Sequence, residues 1–117
     1  MIASALALQG VAFKSTLTAG THRPAVNARW PYVVKVVNTK GRPLRARITA
    51  QIVDPIGGVH PVEYFANTRK VTNIPFRGTF REAVKWPPES KGFRLVFRVI
   101  VTVGTAKRTL SYAVTPA

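Results

Sequence analysis

The chain has 117 residues, 46% of them apolar, which gives room for one domain with a packed core and excludes a disordered tail or a multidomain enzyme. Eighteen Lys and Arg face four acids, Asp54, Glu63, Glu82 and Glu89, for a formal net charge of +14; so few carboxylates, scattered along the chain, exclude most acid–base hydrolase chemistry and hard-cation clusters. Cysteine is absent, which removes disulfides, thiolate nucleophiles and Cys-based metal sites.

Residues 1–8 are apolar but far short of the roughly 20 needed for a bilayer span, and no later segment is long enough either. Ile2 to Leu8 is small and apolar, and Ala5-Leu6-Ala7 has the small-x-small pattern of a signal-peptidase site, without the positively charged leader that precedes one. Residues 1–9 therefore read either as the tail of an export signal or as a plain N-terminal strand or unstructured start. Residues 10–117 read as one domain.

From residue 10 onward apolar side chains recur with period two, the code of a strand with one buried face. Residues 11–17 place Val11, Phe13 and Leu17 inward, and residues 30–37 place Trp30, Tyr32, Val34 and Val36 inward. In residues 44–53, Leu44, Ala46, Ile48, Ala50 and Ile52 take one face while Arg45, Arg47, Thr49 and Gln51 take the other. A short strand is expected over 59–65, confined to an edge or bulge by Pro61. Residues 76–86 read as one strand with Phe76, Phe80, Val84 and Trp86 inward. Residues 93–103 read as a central strand, with Phe93, Leu95, Phe97, Val99, Val101 and Val103 inward and Val96 and Ile100 on a partly covered second face. Residues 109–115 add Leu110, Tyr112 and Val114.

Turn signals separate these runs at 38–43, 54–58, 87–92 and 104–107. Low helix content is expected, because no window of ten or more residues carries a 3.6-residue apolar period free of prolines and β-branched residues. About seven strands at a spacing of roughly 8 to 12 residues predict an all-β fold, an immunoglobulin-like antiparallel β-sandwich. Without an inter-sheet disulfide, Trp30 and Trp86 must supply the central bulk.

The hairpin from Trp30-Pro31-Tyr32 through Gly41-Arg42-Pro43-Leu44, with Gly78-Thr79-Phe80, Trp86-Pro87-Pro88 and Gly92-Phe93-Arg94-Leu95, resembles the immunoglobulin-like or fibronectin type III-like domains of bacterial secreted and cell-surface proteins. The resemblance is architectural and covers residues 10–117. It implies a noncatalytic spacer, adhesion module or assembly unit, secreted or at the cell surface. The tyrosine such domains carry near the start of the penultimate strand is not matched, since Phe93 and Phe97 occupy that region.

His22 and His60 are the only imidazoles, and without carboxylates or thiolates beside them they read as solvated loop histidines rather than metal ligands. A likeness to small copper-handling periplasmic sandwiches at Gly58-Val59-His60-Pro61 fails because Met1 is the sole methionine. Ser15, Ser90 and Ser111 lack a nucleophile elbow or an adjacent His. Gly57-Gly58 lacks the helix and lysine of a phosphate loop and reads as a tight turn. Neither an enzyme nor a cofactor is expected.

The basic residues carry the functional expectation. In an immunoglobulin arrangement the third, sixth and seventh strands share a sheet, which places Arg45, Arg47, Arg94 and Arg98 on one outer face with Lys107 at its end. The opposite sheet would show Lys35, Arg77, Arg81 and Lys85. The expected partner is an anionic polymer, an acidic lipid surface or an acidic protein. A nucleic-acid-associated or virion assembly protein is the alternative, less favoured because the outward rows lack aromatic platforms for bases.

Overall fold

The computed structural model describes residues 12–117. Eight strands run in chain order: β1 (Lys14–Ala19), β2 (Arg29–Val37), β3 (Arg45–Val53), β4 (Val59–Pro61), β5 (Ile74–Arg77), β6 (Thr79–Lys85), β7 (Leu95–Val103) and β8 (Ala106–Val114). One 3-10 turn, Pro88–Ser90, is the only helical element among the described residues. The fold is all-β, with every strand pair antiparallel. One sheet has the order β1-β2-β6; the other has β4-β3-β7-β8, with β5 on the same edge of β3 as β4.

Alternation in the sequence becomes alternation in burial. Along β7 every second residue from Leu95 to Val103 is buried while Val96, Arg98, Ile100 and Thr102 are half-buried on the outer face. β7 is central, paired on both sides. The inward rows of both sheets meet in one core. At its centre Phe97 of β7 meets Tyr32 at 4.7 Å and Trp30 at 5.2 Å, both edge-on, and Trp30 meets Trp86 at 5.4 Å and 75°. These aromatic contacts contribute about 0.5–1.5 kcal/mol each beyond the area they bury. The two tryptophans occupy the place expected of them, 2% and 0% exposed.

Three expectations needed correction. The run 76–86 is two strands, and the break is at Gly78, which has φ +74. There the chain leaves β5 in the five-stranded sheet and enters β6 in the three-stranded one. Gly78 holds the strand ends together, its N–H donating to Leu44 O at 2.9 Å and its carbonyl accepting from Val36 N at 2.8 Å. A Cβ at this position would lie 2.6 Å from Pro43 Cβ. Phe93, expected inward, precedes β7 and is 54% exposed. Last, only 59–61 of the run 59–65 pairs as a strand, at the edge where Pro61 was expected to confine it. The chain beyond it folds over the gap between the sheets, burying Val62 and Val71. The inward assignment of Val11 lies outside the described residues.

The opposite open side, between β1 and β8, is closed by side chains. Tyr112 donates its hydroxyl to Gly20 O at 2.7 Å, and the Trp30 indole N–H donates to Thr21 O at 2.8 Å. His22 stacks on Tyr112 at 4.1 Å.

Candidate anion-binding face

β3 carries Arg45 and Arg47 on its outer face, both exposed. β8 carries Lys107, which stands opposite Thr102 of β7, itself opposite Arg47. These three cations, expected from sequence, share one end of the outer face of the five-stranded sheet. Arg77 joins them. Because the chain switches sheets at Gly78 rather than before Phe76, Arg77 belongs to β5 and stands directly opposite Arg45, with Pro75 opposite Arg47. It was expected on the other sheet. The sequence did carry a signal, an isolated glycine inside an alternating run.

Arg45, Arg47 and Arg77 line a depression of about 630 Å³ with Phe76, Thr102 and Gly104. The β2–β3 turn beside it adds Lys40 and Arg42. All four carboxylates lie elsewhere: Asp54 beyond the far end of β3, Glu63 after β4, Glu82 midway along β6, and Glu89 past its end. Two like charges on directly opposed residues repel, by about 0.6 kcal/mol at 7 Å in water. Arg47 is held in place, its guanidinium donating to Asn73 O at 3.0 Å. Cations side by side without a counter-charge raise the local positive potential.

Two of the expected residues stand apart. Arg98 is half-buried in the middle of the sheet, where Gln51 Oε1 accepts from its Nε at 3.1 Å and its Nη2 at 2.6 Å. Arg94 precedes β7 at the opposite end, about 27 Å along the strand from the level of Arg47. It does not belong to this group. The outer face of the three-stranded sheet is basic too, with Arg29 opposite Lys85, and Lys35 and Arg81 along the same face.

The two histidines are separate. His22 Nδ1 donates to Ala113 O at 2.5 Å, while His60 Nε2 lies 2.8 Å from Asp54 Oδ2. Among the described residues no group of three or more His, Asp or Glu side chains is arranged to hold a metal ion. Comparisons with protein-family models, curated proteins and solved structures give no match.

Proposed function

We propose that this chain is a noncatalytic structural or interaction domain of immunoglobulin-like, fibronectin type III-like type, from a secreted or cell-surface bacterial protein, and that it meets an anionic polymer. The strand order supports the fold reading: the first, second and sixth strands form one layer, and the third, seventh and eighth form the other with short strands at its edge. The apolar Ile2 to Leu8 run supports export.

The single observation that carries the binding reading is the opposed pair Arg45 and Arg77, flanked by Arg47 and Lys107 and answered by no carboxylate. The pair costs energy in the free protein and is relieved by a polyanion lying across it. Such contact is long-range and geometrically undemanding, suited to a repetitive phosphate or carboxylate polymer rather than to one sequence of bases.

The test is salt-dependent binding to poly(glycerol phosphate), with duplex and single-stranded DNA in parallel. Replacing Arg45, Arg47, Arg77 and Lys107 with Gln should lower the slope of log K against log salt by about 0.7–0.9 per lost contact. Replacing Arg29, Lys35, Arg81 and Lys85 on the opposite face, also four charges, should leave most of the slope intact. Equal losses from the two sets would reduce the effect to net charge and overturn the reading. Tighter binding to DNA than to the polymer would move the assignment to a nucleic-acid-associated protein.

A further inference from the structure

The far end of the sandwich holds a cleft of about 760 Å³, open between the β3–β4 turn, the segment after β4 and the connection from β6 to β7. Its lips carry Ile56, Phe65 and Phe93, exposed to 94%, 39% and 54%. These are three of the four large apolar side chains left exposed among the described residues. Deeper in it is lined by Val62, Val84 and Leu95, which belong to the core. Pockets that bind small molecules are concave, mostly apolar, of roughly 300–1,000 Å³, and carry a few polar groups that fix orientation.

The charges around the cleft are close to balance. Asp54, Glu63 and Glu89 line it together with His60 and Lys85. His60 Nε2 lies 2.8 Å from Asp54 Oδ2, and Lys70 Nζ lies 3.3 Å from Glu63 Oε2. Arg29 stands over the Phe65 ring at 5.9 Å and Arg69 over the Tyr64 ring at 5.5 Å, so guanidinium groups already occupy aromatic faces that would otherwise attract a cation. Acids and bases offset one another here, and the surroundings favour neither sign of ligand.

One polar group stands out against this neutral, apolar lining. Trp86 is part of the cleft wall and is fully buried, and its indole N–H has no acceptor among the described residues. The other indole provides the contrast, since Trp30 Nε1 donates to Thr21 O at 2.8 Å. A buried donor without a partner is unfavourable, and whatever supplies an acceptor gains by relieving it. The Trp86 nitrogen is closed to solvent, so its acceptor must arrive on an apolar body able to part the side chains that cover it.

We propose that the cleft binds a small neutral apolar molecule with one hydrogen-bond acceptor, an aryl or alkyl carbonyl compound. Its hydrocarbon packs on Phe65, Phe93 and Ile56, and its carbonyl oxygen accepts from Trp86 Nε1. An uncharged body suits the balanced surroundings, and the unpaired indole selects an acceptor over plain hydrocarbon. The site shares no residue with the anion-binding face, and either can fail without the other.

An NMR titration that resolves the two indole N–H signals tests it. The probe is acetophenone; ethylbenzene, of similar shape but without an acceptor, and phenethylammonium and benzoate, which are charged, are the comparisons. Acetophenone should give saturable shifts at the amides of Phe65 and Phe93 and move the Trp86 indole proton downfield, leaving the Trp30 indole in place. It should bind about two- to tenfold tighter than ethylbenzene, the increment of one net hydrogen bond. Phe93→Ala should weaken it about three- to tenfold through lost apolar contact, and the exposure of Phe93 lets that variant fold. The double variant Glu63→Gln, Glu89→Gln should leave its affinity within about twofold, each exposed charge contributing little to a neutral ligand. Equal binding of ethylbenzene and acetophenone would overturn the proposal, as would an unmoved Trp86 indole at saturation, shifts that avoid the cleft, or tighter binding of either ion.

Discussion

Arg45 and Arg77 are cross-strand partners in an antiparallel pair, two cations held opposite each other at an end of the molecule that bears no carboxylate. Directly opposed like charges destabilise a sheet by a few tenths of a kcal/mol to about 1 kcal/mol. Stability and anion binding are therefore set against one another here. Arg77→Glu should raise unfolding stability by about 0.5–1 kcal/mol in urea titrations while weakening attachment to poly(glycerol phosphate). The double variant Arg45→Glu, Arg77→Glu should restore the repulsion, and simple additivity of the two changes would show that the residues are not coupled.

Gly78 is the point at which one continuous alternating run is shared between two sheets. Its left-handed φ of +74 and the 2.6 Å approach of an added Cβ to Pro43 both oppose a side chain. Gly78→Ala should cost about 2–4 kcal/mol, combining about 1–2 for the backbone with overpacking. Gly104, at φ +58 with nothing near its added Cβ, provides the control, and Gly104→Ala should cost only about 1–2 kcal/mol. Matching midpoints in denaturant for the two variants would remove the steric part of this account.

Tyr32 and Tyr112 should respond oppositely to loss of their hydroxyls. Tyr112 donates to Gly20 O, and Tyr112→Phe should cost about 1 kcal/mol. The Tyr32 hydroxyl is buried without a partner among the described residues, so Tyr32→Phe should be neutral or mildly stabilising. Burial, with the nearby Glu82 adding to it, holds the Tyr32 hydroxyl protonated well above the ordinary value of 10.0. The unfolded chain releases that proton above about pH 10 and the folded one does not, so stability falls as pH rises past that point. Thermal melts at alkaline pH should show a shallower decline in Tyr32→Phe than in the wild type.

Asp54 organises the β3–β4 turn. Its carboxylate bonds the His60 ring and accepts from the backbone N–H of Gly58 at 2.7 Å and Ile56 at 3.1 Å. The His60 contact first, then the Gly58 amide, hold its pKa below the usual 3.8. The folded turn thus binds the proton less tightly than the unfolded chain, so its contribution is complete above that ordinary value and is lost as pH falls through the lowered one. Amide exchange at Ile56 and Gly58 should accelerate over that acid range, and Asp54→Asn should abolish the dependence.

Much of the fold was legible because each strand declares its own two faces. Residues 30–37 and 93–103 show the inward row in the order of residues alone, apart from Phe93, where the strand had not yet begun. The cleft was not legible. Asp54, Glu63 and Glu89 are far apart along the chain, and only the folding of the segment after β4 across the gap between sheets brings them to one hollow. Exposed Phe65 and Phe93 are indistinguishable in sequence from core residues.

By itself the amino-acid order determined that the protein is built of two-faced strands and carries a large cationic surplus on their outer sides. The tertiary structure decided which strands are neighbours, and with that which cations stand together. Arg77 moved beside Arg45 and Arg94 moved away from both. The reason is that alternation is a local property of each strand, whereas pairing is settled by long-range closure and by one glycine that lets the chain cross between layers.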